Sequence, residues 1–341
     1  MKLYKDDGYP LIDDLLKTGA TKIIGFGGRG AGKSFMVIDH LLENSAAIGH
    51  KFMYIRRTKS AVDTITASPD LSPFNEPNKI FGRHIELKRA SKELHGIYDA
   101  DKENQQIGLI ASLGDVAKIR GFDGHEYDEI FYDEFIKEPM EVNRRGEYEA
   151  LMNLYETINR NRELKGERPV RLFMMSNADQ LNNPIFSGFG IISKIEQMKK
   201  RGQEWSLVHD GDLLIIDYSK SPIVAKKRET RHYKTMGEND YYRRMMRNEF
   251  TELDDEMIRT RTLGEYVAKA VINGICVYKH KSENTFYISP HIKDSPKRYG
   301  RSEREKEMFR HNYPLLYSAY ISRRMYFENF DTLTKFLEIY D

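Results

Sequence analysis

"GFGGRGAGKSF", residues 25–35, is the most informative segment of this chain. A glycine followed after four residues by Gly-Lys-Ser has the spacing of a loop that binds phosphate. Glycines let backbone N–H groups turn toward phosphate oxygens, and the N-terminus of a following helix also attracts anions. We therefore predict that a nucleotide is held by one continuous run of residues: Gly27, Gly28, Arg29, Gly30, Ala31, Gly32, Lys33 and Ser34.

The sequences on either side are those that such a loop requires. "TKIIGF" (21–26) and "KFMYIRR" (51–57) are typical of buried strands, and residues 33–44 place their apolar side chains at helical spacing. This order predicts a βαβ unit, which favours a phosphate loop over a chance glycine turn. Lys33 is then expected to bridge the outer phosphates, and the Ser34 hydroxyl is expected to bind Mg²⁺.

Composition limits the class of protein. The chain has 341 residues, 40% of them hydrophobic and 31% charged, which is typical of a soluble globular protein of two domains. No apolar run approaches the roughly 18 residues of a membrane span, so no membrane partner is expected. The single cysteine, Cys276, excludes an internal disulfide framework and fits a cytoplasmic location. The net charge of only +2 means that any basic surface must be local.

Further strands and helices along the chain predict an α/β fold with a mainly parallel sheet. Strands are predicted at 127–135, 169–179 and 211–219, a set of strands joined by turns at 84–113, and an amphipathic helix at 147–163. We predict a motor domain over 1–219, a helical linker over 220–255 and a small α+β domain over 256–341. The last domain is expected to contain a β-hairpin or meander at 265–289.

An acidic pair ends one of the predicted strands. In "IFYDEF" (130–135), Asp133 lies where a carboxylate would reach the Mg²⁺ shell, and Glu134 follows at the position for polarising an attacking water. An acidic turn after a core strand is the alternative. Together with the loop about a hundred residues upstream, the pair indicates an enzyme that hydrolyses ATP, with ATP and Mg²⁺ as its cofactors.

Two other motifs each leave an alternative open. Asn177, in "FMMSNA", ends a strand and is expected to contact the nucleotide as a sensor; a helix cap is the alternative. Arg160, in "NRNRE", ends the amphipathic helix. It is either favourable charge at a helix C-terminus or an arginine finger that reaches into a neighbouring subunit.

These motifs together resemble the genome-packaging ATPases of phi29-like tailed phages, and within that group the lactococcal-phage members. The matching stretches, in order, are "GGRGAGKS", "YIRRTKS", "IFYDEF", "NRNRE" and "MSNADQLNNP". The resemblance implies an additional-strand, catalytic-glutamate ATPase with an RNase H-like C-terminal domain. It also implies a homomeric ring, expected to be a pentamer, that drives double-stranded DNA into an empty procapsid. The ring would act from the host cytoplasm, transiently at the portal vertex, with the portal protein and a structural packaging RNA as further partners.

The resemblance also assigns roles to residues. Lys33, Ser34, Asp133 and Glu134 keep the roles given above, and Arg160 would act in trans as the finger. Three basic residues would lie near the nucleotide or the subunit interface: Arg56, Lys59 and Arg120. For Arg56 and Lys59 a solvated strand end is the alternative. The stretch 270–289 carries one acid, Glu283, which falls in a turn, so its strands lack the carboxylates of a two-metal site and no nuclease activity is expected.

Two other functions fit the same motifs. A RecA-like helicase would separate DNA strands, whereas a packaging motor would be stimulated by duplex DNA without unwinding it. A nucleotide-gated scaffolding protein would use ATP only to set its oligomeric state. Glu134→Gln separates the last alternative from an enzyme, since only an enzyme needs this residue for turnover.

Overall fold

The computed structural model describes residues 1–116, 124–137, 146–177, 181, 183–236 and 257–340. These residues form two compact units. The first unit contains the described residues up to 177 together with 198–236, and the second contains 181, 183–197 and 257–340. Arg120 lies outside the described residues, as do the basic residues between 237 and 256. No helix of the described part is long and apolar enough to cross a membrane.

The large sheet belongs to the first unit and follows the predicted strands closely. Its strands are β1 (Lys22–Gly27), β2 (Lys51–Arg56), β3 (Ile85–Arg89), β4 (Leu94–Asp99), β5 (Gln105–Ser112), β6 (Tyr127–Asp133), β7 (Arg171–Asn177), β8 (Trp205–Val208) and β9 (Leu213–Asp217). The helices up to residue 236 are α1 (Asp13–Leu16), α2 (Lys33–Ile48), α3 (Lys59–Thr66), α4 (Asn75–Phe81), α5 (Leu113–Val116), α6 (Glu147–Asn159), α7 (Pro184–Gly188), α8 (Ile192–Arg201), α9 (Pro222–Arg228) and α10 (Arg231–Met236).

The strand order of this sheet explains the placement of the motifs. The order is β3-β4-β5-β2-β6-β7-β1-β9-β8. Six consecutive strands in this order run parallel to one another: β5, β2, β6, β7, β1 and β9. At the edges of the sheet, β4 and β8 pair antiparallel to β5 and β9, and β3 pairs antiparallel to β4. β7 is inserted between the loop strand β1 and the acidic strand β6. This is the additional strand that the family resemblance implies, and the predicted mainly parallel α/β fold is confirmed.

The central strands are apolar on both faces because both faces are covered. In β1, β6 and β7 most side chains are fully buried, as expected for parallel strands in an α/β domain. Helix α2 packs Val37 and Leu41 into the same core as Phe173 and Leu214. The predicted amphipathic helix is α6, and it buries the predicted residues Leu151, Leu154, Tyr155 and Ile158.

The second unit combines a small sheet with helices and includes residues 183–197, which lie outside the predicted C-terminal domain. A meander runs through β10 (Tyr266–Ile272), β11 (Ile275–His280) and β12 (Phe286–Ser289), and its first turn is at Asn273-Gly274 as predicted. Strands β13 (Lys297–Arg298) and β14 (Met325–Phe327) pair parallel to β10 and β12, respectively. Three helices follow the meander in the chain: α11 (Glu303–Asn312), α12 (Leu315–Ile321) and α13 (Phe330–Leu337).

Gly25 on β1 is a packing requirement that the sequence pattern did not indicate. A Cβ at this position would overlap Met175 Sδ and lie 2.9 Å from Tyr218 Cε2, both in neighbouring buried side chains. Gly25→Ala is therefore expected to lower the free energy of unfolding by about 1–3 kcal/mol through overpacking. Urea unfolding followed by circular dichroism measures this.

Gly264→Ala is the matched control for that prediction. The nearest atom to its added Cβ would be Thr262 Cγ2 at 4.0 Å, which is ordinary contact. The control should unfold at nearly the wild-type urea concentration. Equal stability of both variants would contradict the packing argument.

Candidate nucleotide site

The loop between β1 and α2 has a backbone that requires glycine. Gly27, Gly30 and Gly32 have φ angles of 148°, 71° and 87°, values that residues with a Cβ rarely adopt. Gly27 also lies close to the backbone that follows β9. A Cβ added to Gly27 would be 2.8 Å from the carbonyl carbon of Tyr218. The tight turn leaves Gly32 as the N-cap of α2, which begins at Lys33. The predicted strand–loop–helix geometry is therefore present.

Lys33 is buried within its own loop. Its Nζ donates to the carbonyl oxygens of Gly27 at 3.1 Å and Gly28 at 2.9 Å, and to Asn177 Oδ1 at 3.3 Å. Burial lowers the pKa of Lys33 to about 8, although the carboxylates of Asp133 and Glu134 oppose the shift. A phosphate would supply a better partner for this ammonium than neutral carbonyls do.

Ser34 and Asp133 meet as the sequence predicts. Ser34 Oγ donates to Asp133 Oδ1 at 2.7 Å, and Tyr54 OH donates to Asp133 Oδ2 at 2.6 Å. Burial and the neighbouring Asp133 carboxylate raise the pKa of Tyr54 well above its ordinary value, so Tyr54 remains a hydroxyl donor. A hydroxyl and a carboxylate are oxygen ligands of the kind that Mg²⁺ takes beside phosphates. These two residues therefore fit a Mg²⁺ ion.

Glu134 lies directly after the end of β6 and forms an ion pair with Arg56. Its φ is 53°, and its backbone N–H donates to the Met175 carbonyl at 2.8 Å. The Arg56 guanidinium donates to Asp133 Oδ2 at 3.1 Å and also bonds Glu134 Oε2. The Arg56 side chain is only 12% exposed, whereas Glu134 is 43% exposed. Arg56 thus lies between the two acids, and the solvated strand end considered for it is not what the structure shows.

The Ser176-Asn177 pair ends β7 next to these groups. Asn177 contacts Lys33, and buried Ser176 accepts a hydrogen bond at 3.1 Å from the backbone N–H of Ile136, two residues beyond Glu134. The next described helix, α7, has Asn183 as its cap. Asn177 therefore contacts the loop, and the cap of the next described helix is a different residue.

The two arginines of "NRNRE" have different surroundings. Arg162 is buried and donates to Asp128 Oδ1 at 3.1 Å and to the carbonyls of His125 and Tyr127 at 2.6 and 2.9 Å. Arg160 is exposed, has a φ of 36° and donates from Nε to the Thr157 carbonyl at 3.1 Å. Arg162 therefore anchors the turn that presents Arg160.

Sequence reasoning missed several residues that shape the site. Arg57 is 4% exposed and pairs with Glu147 at 3.2 Å, where Tyr132 OH also donates to Glu147 at 2.6 Å. Tyr9 packs its ring against the loop, since a Cβ at Gly32 would lie 2.8 Å from Tyr9 Cδ1. No local pattern marks Tyr54, because its role depends on Asp133 of the neighbouring strand. Among the described residues, no group of three or more His, Cys, Asp and Glu side chains could hold a metal.

Comparison with known proteins places the chain in a family. The family model of the podovirus DNA encapsidation protein (Gp16) matches residues 12–299, which is most of the chain. The chain belongs to this family. No curated protein matches this encapsidation protein.

Two solved structures are similar to the encapsidation protein over almost their whole length. The Phi-28 gp11 DNA packaging motor has a TM-score of 0.67 and 17% identity, covering 98% of each chain. The bacteriophage Phi-29 genome packaging motor has a TM-score of 0.65 and 21% identity, covering 99% of this chain and 100% of that one. The family confirms the prediction of a viral DNA packaging protein, and the two structures confirm the predicted α/β fold. The lactococcal-phage placement stays a prediction, because both likenesses are remote.

The buried position of Lys33 predicts a pH dependence of nucleotide binding. As the pH rises through about 8, ligand-free Lys33 loses its proton, and binding a phosphate then requires the proton to be taken up again. Affinity for the Mg²⁺ complex of the non-hydrolysable analogue AMP-PNP should fall as pH rises from 7.5 to 9.5. The fall should approach tenfold per pH unit at the upper end.

Calorimetric titration at three pH values measures this effect. Lys33→Arg is the control, since a guanidinium keeps its proton throughout this range. Its affinity should be weaker at pH 7.5 but nearly constant. Parallel pH profiles for the two proteins would contradict the assignment to Lys33.

Proposed function

We propose that this encapsidation protein hydrolyses ATP in order to drive double-stranded DNA into a preformed procapsid. The observation that carries the proposal is the contact of Ser34 with Asp133, to which Arg56 joins the neighbouring acid Glu134. A site that only bound nucleotide would need the loop alone. Hydrolysis requires, in addition, an acid beyond the metal-binding pair, which can accept a proton from the attacking water.

ATP binding would use the loop and its two following residues. Backbone N–H groups of residues 27–32 would surround the phosphates, and the Lys33 ammonium would exchange its carbonyl partners for phosphate oxygens. Ser34 and Asp133 would hold Mg²⁺, which would neutralise charge on the phosphates. Asn177, which contacts Lys33 at 3.3 Å, would change this contact when phosphate binds or leaves, and would thereby couple the nucleotide to β7.

Glu134 is proposed to act as the general base for an attacking water. A carboxylate can accept that proton only when its oxygen is not committed to a guanidinium. In the described arrangement Arg56 holds Glu134, so turnover would require this ion pair to open. Arg56 would still have Asp133 Oδ2 as its partner at 3.1 Å, which makes the exchange local.

Arg160 is proposed to complete the site of a neighbouring subunit as an arginine finger. The proposal is supported by its exposure and by the turn that Arg162 fixes against the carbonyls of His125 and Tyr127. A finger stabilises charge that develops on the transferred phosphoryl group and contributes roughly 10³–10⁵ in rate. Its action in trans would make hydrolysis depend on a ring of copies, for which a pentamer is the family expectation.

DNA is proposed to be gripped through its phosphates, since a packaging motor must ignore sequence. Of the basic residues in "RRTKSAVD", Arg56 and Arg57 are engaged with acids, which leaves Lys59 at the start of α3 as the candidate. The motor is proposed to work from the host cytoplasm at the portal vertex, with the portal protein and a packaging RNA as partners. The second unit is proposed to lack nuclease activity, because β10, β11 and β12 contain no Asp or Glu.

Glu134→Gln tests the central claim. The variant should bind ATP with nearly wild-type affinity and lose at least a hundredfold in turnover, because the amide cannot accept the proton. It should also fail to package DNA into procapsids. Phosphate release, calorimetry and protection of packaged DNA from added nuclease are the measurements.

Glu126→Gln is the matched control, since Glu126 precedes the same strand and pairs with Lys51 at 2.5 Å, away from the loop. It should keep both activities. Packaging by Glu134→Gln without hydrolysis would refute the motor. Separation of DNA strands by the wild type would favour a helicase, and cutting of duplex DNA in the same reactions would refute the assignment of the second unit.

Arg160→Ala tests action across subunits. The variant should keep ATP binding and lose turnover, because its own loop and acids are intact. Mixing it with Glu134→Gln subunits should restore part of the activity, since a site with intact Glu134 can then receive Arg160 from its neighbour. Lys165→Ala, an exposed cation in the same turn region, should hydrolyse ATP normally. Failure of the mixture to recover any turnover would contradict action in trans.

A further inference from the structure

A second lysine lies against the phosphate loop, and none of the roles above uses it. A Cβ added to Gly30 would clash with Lys227 Nζ, and it would lie 3.3 Å from Lys227 Cε and 3.9 Å from its Cδ. The whole end of this side chain is therefore in contact with the middle of the loop. Gly30 has a φ of 71°, so both its backbone conformation and the nearby ammonium disfavour any other residue there.

Lys227 is placed there by packed structure. After β9 the chain passes under Gly27 through Tyr218, and α9 begins at Pro222. Ser221 and Val224 are fully buried, which fixes this short helix on the first unit. The N-terminal segment adds support, because Lys226 Nζ donates to the Asp7 carbonyl at 3.1 Å. The two consecutive lysines therefore point to different partners.

The charges around Lys227 favour an anion. Among the described residues, no carboxylate lies within ion-pair distance of its Nζ, whereas Lys33 contacts the same loop from the inside. The pKa of Lys33 is lowered mainly by burial, and the charge of Lys227 adds to the lowering. Two ammonium groups on one loop repel each other, and an anion bound between them would reverse that cost.

We propose that Lys227 is a second phosphate-binding lysine of the site, contributed by α9, and that it contacts the polyphosphate of the bound nucleotide. The inference rests on the proposed ATP binding and adds to it a residue from the region predicted to be a linker. Lys33 holds the phosphates from within the loop, and Lys227 would hold them from the helix that follows the sheet. The position of α9 would then depend on whether the phosphates are present.

Lys227→Met is the test, because it keeps the aliphatic stem and removes only the charge. Binding of Mg²⁺–AMP-PNP, measured by calorimetry, should weaken about tenfold or more, as expected for loss of a charge-assisted hydrogen bond. Binding of AMP, which lacks the outer phosphates, should weaken less than threefold. Lys227→Arg should recover most of the affinity for AMP-PNP.

Lys226→Met is the matched control, since it removes the same charge one residue away on the same helix. It should leave AMP-PNP affinity within about twofold, because exposed charges at longer range are screened. Equal weakening by the two variants would show a general charge effect and overturn the proposal, as would wild-type affinity in Lys227→Met. A circular dichroism spectrum and melting temperature like those of the wild type establish that the variant is folded. If it does not fold, Lys227→Gln replaces it.

The outcome is separable from that of the proposed function. Failure of the wild-type protein to bind AMP-PNP would refute the nucleotide site itself. Tight binding by the wild type and by Lys227→Met alike would refute only the role of Lys227.

Discussion

The structure depends on the parallel register of four neighbouring strands. β2, β6, β7 and β1 run in the same direction, so their carboxyl ends lie at one edge of the sheet. Arg56 is paired in register with Asp133 across β2 and β6, and Gly27 with Asn177 across β1 and β7. The loop, the metal-binding pair, the general base and the sensor are therefore brought together by backbone pairing. Side-chain chemistry then acts on a geometry that is already fixed.

Much of this could be predicted from the sequence because the informative signals are local. The loop spacing, the apolar strands and the acids that follow one of them each lie within a short stretch, and each has one dominant structural meaning. The predicted strands of the large sheet and the meander at 265–289 appear with the expected order and approximate bounds. The structure brings the predicted site residues together in pairs. Lys33 contacts Asn177, and Ser34 contacts Asp133. Glu134 contacts Arg56, which also contacts Asp133.

The remainder could not be predicted because it depends on contacts between distant parts of the chain. Arg56 and Arg57 are adjacent and chemically identical, but one holds the two acids of β6 and the other is buried against Glu147. The same holds for Arg160 and Arg162, of which only the second is an anchor. Lys227 lies in a polar stretch that the sequence predicts to be a linker. It approaches Gly30 because of the path that the chain takes after β9. A charged residue in a sequence does not indicate which partner it will find.

The inserted strand β7 has a mechanical consequence. It is hydrogen-bonded along both edges, to β1 on one side and to β6 on the other, and the backbone of Glu134 and Ile136 is tied to its end. Sliding either neighbour along β7 would break a whole row of hydrogen bonds at once, so the sheet resists shear. The sheet is therefore a rigid support for the groups at the carboxyl ends of its strands.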